Sequence, residues 1–137
     1  MDLDEARAVL TDQHQAVLAT RRKDGGVQMS PVTVAVDAEG RVVISSRVPA
    51  YKVRNLRRDP RAAVCVLPDG FYGRWIQVEG EADIVLPPDS VEGLVDYYRR
   101  ATGGEHPDWD DYRAAMIRDQ RVLIRVTLHR AGPDKSG

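Results

Sequence analysis

Most of the connections between the apolar, strand-like segments of this chain are too short for anything but antiparallel pairing. A turn with the sequence Lys-Asp-Gly-Gly separates residues 15–20 from residues 27–36, and Asp-Ala-Glu-Gly separates the latter from residues 41–46. Parallel strands need a crossover of about a dozen residues, usually a helix. Three further strands are predicted at residues 61–67, 74–86 and 121–130. The pattern therefore predicts a mainly β fold with helices (β+α), built as a six-stranded antiparallel barrel.

Four segments have the pattern of helices, near residues 2–13, 49–59, 89–101 and 109–119. Gly80 interrupts the longest predicted strand and indicates a bulge or a sharp bend there. A chain of 137 residues has the usual length of one domain, and no internal repeat divides it. We therefore expect a single barrel domain over residues 1–130, followed by a polar, disordered tail over residues 131–137.

The charge balance and the hydropathy argue against several classes of protein. The chain carries 20 basic and 21 acidic residues, a net charge of −1, whereas dedicated nucleic-acid-binding proteins usually have a strong basic excess. No apolar segment approaches the ~20 residues that span a bilayer, and the acidic N-terminus lacks the apolar core of a secretory signal. The three histidines are dispersed, without metal-ligand spacing. We expect a cytoplasmic protein with no metal, nucleic-acid or membrane partner.

One segment departs from the neutral balance, since residues 47–61 contain six basic residues and one acid. Ser45 and Ser46 end a strand, and Pro49 opens a helix whose first turn contains Lys52. The first turn of a helix has unpaired N–H groups and favours anions, so a lysine there is misplaced for helix stability alone. The hydroxyls, the N–H groups and Lys52 together predict a phosphate site. The alternative is a basic amphipathic helix with a solvated face.

The sequence assigns no catalytic side chains. It contains no phosphate-binding glycine loop, and no acid–base pair or nucleophile set stands out. That pattern fits proteins in which a bound cofactor does the chemistry. Gln28 and Ser30 share one face of a predicted strand, which we expect to be the solvent side; the alternative is that both hydrogen-bond a heterocyclic ring. Trp75 is expected in the core or in an interface.

Several motifs together resemble one known family. They are Gly-Val-Gln-Met-Ser-Pro-Val over residues 26–32, Val-Glu-Gly-Glu-Ala over residues 78–82, a late segment over residues 104–113 and, most specifically, Lys-x-x-Asn-Leu-x-x-Asp-Pro over residues 52–60. With these motifs the chain resembles the pyridoxamine 5′-phosphate oxidase-like (PPOX class) split-barrel family over nearly its whole length. Within that family it is most similar to the actinobacterial branch that uses the deazaflavin cofactor F420.

The resemblance implies an FMN-binding-type split β-barrel that forms a homodimer, with two cofactor sites at the subunit interface. By the same resemblance Lys52 holds the cofactor phosphate, helped by Ser45, Ser46 and Arg47. The residues implied along the deazaflavin ring are Gln28, Met29 and Ser30. Asn55 is implied to support the adjacent loop, and Trp75 or its neighbours to reach the site from the partner subunit.

The implied function is that of an F420-dependent oxidoreductase, a reductase that moves a hydride from reduced F420 to a small electrophilic organic substrate. Three alternatives stay open: an FMN-dependent oxidase or reductase of the same fold, a carrier that binds flavin or F420 without turnover, and a haem-binding relative. No histidine or tyrosine is obviously placed as a haem ligand. The chain departs from some relatives at Ala50 and Tyr51, where they have an arginine on the phosphate; Arg47 or Arg54 is a candidate replacement.

Overall fold

The structure, a computed structural model, describes residues 1–136. In chain order its elements are α1 (Leu3–Asp12), β1 (Gln15–Arg21), β2 (Val27–Thr33), β3 (Ala35–Val36), β4 (Val42–Arg47), α2 (Tyr51–Arg58), β5 (Arg61–Val66), β6 (Arg74–Val85), α3 (Val91–Thr102), α4 (Trp109–Arg118) and β7 (Arg121–Ser136). Most bounds lie within two residues of those predicted; the exceptions are the second predicted strand and the predicted tail. None of the helices described within residues 1–136 is long and apolar enough to cross a membrane.

The strands of residues 1–136 all pair antiparallel in one sheet, in the order β2-β1-β5-β6-β7-β4-β3. The strands at its two edges, β2 and β3, follow each other along the chain with Val34 between them. The sheet therefore curls until its edges meet, and the backbone N–H of Val34 donates to the carbonyl oxygen of His14 at 2.8 Å. Within the described chain β2 and β4 form no ladder. The seam between them makes the structure a split barrel, which confirms the predicted fold class.

The predicted count of six strands was wrong, because the predicted strand 27–36 is divided in two. Its first part pairs with β1, and its last residues, Ala35 and Val36, pair with β4. Val34 belongs to neither ladder, since its N–H is bonded to His14. Local alternation of side chains cannot reveal such a change of partner, because it reports only that a segment is extended.

Two apolar clusters hold the helices to the sheet. The larger fills the barrel, where Leu18 and Ile124 are fully buried, and α1 and α2 add Leu10 and Val53 to it. The smaller covers the outer face of β3, β4 and β7 with α3, through the fully buried Leu94. Burial of each such side chain contributes about 1.5–3 kcal/mol. This packing fixes α2 and α3 relative to β4, the strand that leads into α2.

The register of β6 against β7 shifts between Glu79 and Gly80, which confirms the predicted bulge. A Cβ at Gly80 would overlap the carbonyl oxygen of Thr127, so the two strands can approach this closely only at a glycine. A bulge bends its strand and increases the local twist. It therefore helps the sheet to curl into a barrel.

The prediction of a disordered tail was wrong for residues 131–136. β7 continues through this segment and pairs with the first residues of β6. Arg74 and Asp134 add a two-pronged ion pair across the strands, with N–O distances of 2.9 and 3.0 Å. The polar segment is extended and paired because β6 is long enough to hold it, which composition alone does not reveal. Gly137, the last residue of the predicted tail, lies outside the described residues.

Candidate functional site

Helix α2 has an uncapped, positively charged N-terminus. Ala50 is the N-cap and makes no side-chain hydrogen bond, and the first turn contains no acidic residue. Lys52 is the second residue of the helix and is half-buried. Val53 and Leu56 are buried in the barrel and hold the helix in place. Because the free N–H groups and the helix dipole favour negative charge, the local geometry suits an anion beside Lys52.

An open depression of about 700 Å³ lies along the seam between β2 and β4, and Lys52 lines it. Thr33 of β2 and Ser45 of β4 belong to its walls. Tyr97 of α3 and Arg121, the first residue of β7, line it as well. This volume lies within the range of small-molecule sites. The seam depression thus brings together Ser45 and Lys52, two of the residues named from the sequence.

Ser45 and Ser46 do not share the seam depression, because successive strand residues point to opposite faces. Ser46 lies opposite Val122 inside the barrel and is 5% exposed. Ser45 lies opposite Leu123, on the outer face that α3 covers. Arg47 shares this outer face and is exposed. Of the two hydroxyls predicted to bind an anion, that of Ser45 faces the seam depression and that of Ser46 does not.

Tyr97 links α3 to β2 across the seam. Its hydroxyl donates to the carbonyl oxygen of Thr33 at 2.8 Å. Burial raises the pKa of the Tyr97 phenol, and the backbone of Ser45 and the charge of Arg121 oppose this by smaller amounts. Tyr97 is therefore a neutral hydrogen-bond donor near pH 7.

Gln28 and Asn55 belong to a neighbouring depression of about 360 Å³. Nδ2 of Asn55 donates to Oγ1 of Thr20 at 3.1 Å, and that hydroxyl donates to Oε1 of Gln28 at 3.3 Å. Arg58 donates to Oδ1 of Asn55 at 3.0 Å and to the carbonyl oxygen of Arg21 at 2.8 Å. Thr20 and Asn55 are 2% and 7% exposed, so the bond between them is shielded from water, whereas Arg58 is exposed. They tie α2 to β1, and Asn55 is the residue at the centre.

The expectation that Gln28 and Ser30 face solvent was wrong. They lie opposite Thr20 and Leu18, both buried in the barrel, and so point inward. The Gln28 amide accepts a bond from Thr20, whereas Oγ of Ser30 is buried and has no hydrogen-bond partner within residues 1–136. Met29 points outward and is 66% exposed. In a sheet with one solvated face, polar side chains usually point outward and apolar ones inward. In β2 the polar Gln28 and Ser30 point inward and the apolar Met29 points outward.

The sequence also matches a known family directly. The sequence model of pyridoxamine 5′-phosphate oxidase matches residues 3–132. The chain belongs to this family. The match confirms the family expected from the Lys-x-x-Asn-Leu-x-x-Asp-Pro motif at residues 52–60.

Solved structures that share the split barrel come from several kinds of protein. A conserved hypothetical protein of Mycobacterium tuberculosis is 25% identical with a TM-score of 0.77, and the match covers 99% of this chain and 85% of that one. An F420 reductase is 27% identical with a TM-score of 0.68, over 92% of this chain and 94% of that one. The haem storage protein HutZ of Vibrio cholerae shares the fold at 16% identity, with a TM-score of 0.68 over 100% and 98% of the two chains. Proteins of this fold therefore differ in what they bind.

In this family member, Met29 and Trp75 lie on the outer face of the sheet, and neither lines the seam depression. Met29 belongs to a mostly apolar surface on β2, β1 and β5, where Pro31 lies opposite Val17 and Val17 opposite Cys65. We call this surface the outer patch; its members are Val17, Ala19, Met29, Pro31, Ala63 and Cys65. The Cys65 side chain is half-buried there.

The arginines divide into two groups by their partners. Eleven form ion pairs with carboxylates within residues 1–136. The other arginines form no such pair within those residues, and they lie on α2 or on the strand ends next to it. We call them, with Lys52, the basic cluster: Arg21, Arg47, Lys52, Arg54, Arg57, Arg58 and Arg121. The excess of cations on and around α2 favours a nearby negative charge, so this region of the family member is suited to an anionic ligand.

Sequence reasoning missed Arg121 and Tyr97 as residues of the site. They are distant from Lys52 along the chain and reach the seam through the register of β7 against β4 and the packing of α3. No motif surrounds either residue. An arginine at the start of a strand becomes informative only when its cross-strand neighbour is known.

Proposed function

We propose that this protein is an F420-dependent oxidoreductase, a reductase that passes a hydride from reduced F420 to a small electrophilic organic substrate. The observation that carries the proposal is the position of Lys52, at the uncapped start of α2 and facing the seam depression together with Ser45. The F420 reductase that shares the fold at 27% identity supports the choice of cofactor. The deazaflavin, when bound, supplies the hydride chemistry that protein side chains lack.

The residues at the seam suit a phosphate-bearing, flavin-type cofactor. Lys52 and the free N–H groups of the first turn of α2 offer several donors to one phosphate, with Ser45 and Arg47 beside them. Ser30 lies next to Pro31, which lines the depression, but its hydroxyl is buried on the inner face of β2 and has no partner within residues 1–136. In this proposal Met29 flanks the ring from the outer face of β2, whereas Gln28, Ser30 and Ser46 point into the barrel and take no part.

The proposal includes a homodimer that buries the outer patch. Met29 is 66% exposed and Val27, its neighbour on β2, is 43% exposed. Contiguous exposed apolar surface of this kind is typical of protein interaction sites. Trp75 lies on the outer face of β6, from which it would reach a cofactor site on the partner subunit. Each site would then be completed by two chains.

Two related functions are the alternatives. FMN also carries a phosphate, so a cation site of this kind suits an FMN-dependent oxidase or reductase equally well. A carrier would bind F420 in the same depression without turnover.

Titration of the purified protein with F420 and with FMN, each followed by fluorescence, tests the choice of cofactor. We expect tighter binding of F420, and equal affinity or an absence of F420 binding would refute the proposal. Oxidation of reduced F420 is then measured with a panel of quinones and enones. Tight binding without turnover of any acceptor would favour the carrier.

Lys52→Ala tests the site itself. A charge-assisted hydrogen bond contributes roughly 1.5–3 kcal/mol, so its loss is expected to raise the Kd of F420 on the order of 10- to 100-fold. Arg118→Ala is the control, because it removes a positive charge from an exposed position at the end of α4. If Lys52→Ala leaves the Kd unchanged, Lys52 is only a surface cation.

A further inference from the structure

Two arginines lie directly opposite each other on neighbouring strands at the edge of the seam depression. Arg47, the last residue of β4, pairs in register with Arg121, the first residue of β7. Both side chains lie on the same face as that of Ser45, and Arg121 lines the depression. Like charges directly opposite each other in an antiparallel pair are destabilising. Within the part of the chain that the structure describes, neither arginine has a carboxylate partner.

The backbone holds Arg121 firmly in this position. Oγ of Ser90, a fully buried side chain, donates to the carbonyl oxygen of Arg121 at 2.8 Å. The N–H of Val48 donates to the carbonyl oxygen of Gln120 at 3.1 Å, which joins the segment before α2 to the start of β7. Gln120 has a φ of 51°, a conformation uncommon outside glycine, where the chain turns from α4 into β7. The two like charges are therefore brought together on paired backbone and not on a free loop.

We propose that Arg121 is a phosphate-binding residue that, together with Arg47, completes the cation site of Lys52 at the seam. The identity of the phosphate-bearing cofactor rests on the proposed function above. Guanidinium groups bind phosphate oxygens through two parallel hydrogen bonds. A phosphate between the two arginines replaces their mutual repulsion by attraction to a shared anion. Because no carboxylate of the described residues competes, all these donors are free for the ligand.

Arg121→Gln and Arg121→Lys test the proposal with two ligands that differ in phosphate alone. FMN carries a phosphate group and riboflavin does not. Arg121→Gln is expected to raise the Kd of FMN, and that of F420, by about tenfold or more, and to leave the Kd of riboflavin unchanged. Arg121→Lys is expected to restore part of the affinity. Arg130→Gln, at an exposed position on the same strand, is the control and should change none of these constants.

Thermal unfolding with inorganic pyrophosphate gives a readout that needs no flavin. The wild-type Tm is expected to rise with pyrophosphate. Unliganded Arg121→Gln is expected to melt at the wild-type temperature or above, because a repulsion is removed, and to lose the pyrophosphate-induced rise. An arginine with a purely structural role would behave in the opposite way, with a lower Tm and a retained response, and that result would overturn the proposal. An equal loss of affinity for FMN and riboflavin would overturn it too.

Failure of this proposal and failure of the proposed function give different results. If pyrophosphate stabilises the protein in an Arg121-dependent way while F420 and FMN do not bind, the cofactor assignment fails and the phosphate site stands. If F420 binds and turns over while Arg121→Gln changes neither its Kd nor the pyrophosphate response, the arginine pair is refuted and the function stands.

Discussion

Asn55→Ala is expected to destabilise the protein much more than a substitution on a short surface helix usually does. Asn55 is 7% exposed. Its Nδ2 donates to Oγ1 of Thr20 at 3.1 Å, and its Oδ1 accepts from Arg58 at 3.0 Å. Truncation removes both bonds and leaves the buried Thr20 hydroxyl with Gln28 as its partner. It also removes one of the polar links between α2 and β1, while the bond from Arg58 to the carbonyl oxygen of Arg21 remains.

The magnitude follows from these two bonds. A neutral hydrogen bond contributes about 1 kcal/mol and one to a charged group about 1.5–3 kcal/mol. Arg58 is exposed and regains water, so we expect the free energy of unfolding to fall by about 2–3 kcal/mol in total. For a domain of this size, about 1 kcal/mol corresponds to roughly 3–4 °C, so Tm should fall by about 6–12 °C.

Denaturant and thermal unfolding measure this loss. Thr20→Val removes the same link from β1, and the double variant Thr20→Val/Asn55→Ala should be less destabilised than the sum of the single variants, because the two groups are coupled. Arg57→Ala, at an exposed position on the same helix, should stay within about 0.5 kcal/mol of wild type. The reasoning is refuted if Asn55→Ala has the same Tm as Arg57→Ala. It is also refuted if the stability losses of Thr20→Val and Asn55→Ala add in full in the double variant.

Two further predictions concern assembly and pH. Met29→Asp places a charge in the outer patch and is expected to convert the proposed dimer to a monomer, as measured by light scattering. Ile117→Asp, at a 53% exposed position on α4, should leave the mass unchanged. An unchanged mass for Met29→Asp would argue against this interface. Burial raises the pKa of Tyr112 from 10.0 to about 12. The neutral phenol therefore stabilises the folded state below pH ~10, and this contribution is lost as pH rises toward ~12. Tyr112→Phe, which also loses the hydrogen bond to the Leu94 carbonyl oxygen, should flatten stability over that window; a wild-type slope in Tyr112→Phe would contradict the assignment.

Local chemistry was sufficient to place most elements of this fold. The glycine-containing turn after residue 23 could join only antiparallel neighbours, and Gly80 marked the bulge because side chains are excluded where two backbones approach. Lys52 fell in the first turn of α2 because Pro49 and Asp59 limited where that helix could begin and end. Each of these signals acts within a few residues, so the surrounding structure had little power to change it.

Local signals could not predict which face of each strand points into the barrel. In β2, Gln28 and Ser30 alternate with Met29, and alternation shows that the two sets lie on opposite faces without showing which face is interior. Gln28 is accommodated inside because Thr20 and Asn55 lie next to it, and these come from β1 and α2. The apolar face of β2 is left outside, where a partner subunit is proposed to cover it.

The sequence by itself determined the kind of sheet, the positions of the helices and the cation at the start of α2, because turns, caps and helix dipoles act over a few residues. Tertiary structure alone decided that β2 and β3 close the two edges of one sheet, that residues 131–136 extend β7, and that Arg121 faces Arg47 beside Lys52. Those outcomes depend on strand register, which is set by packing among segments far apart in the chain. In the proposed phosphate site, local sequence signals therefore place Lys52, whereas tertiary structure places Arg121 opposite Arg47.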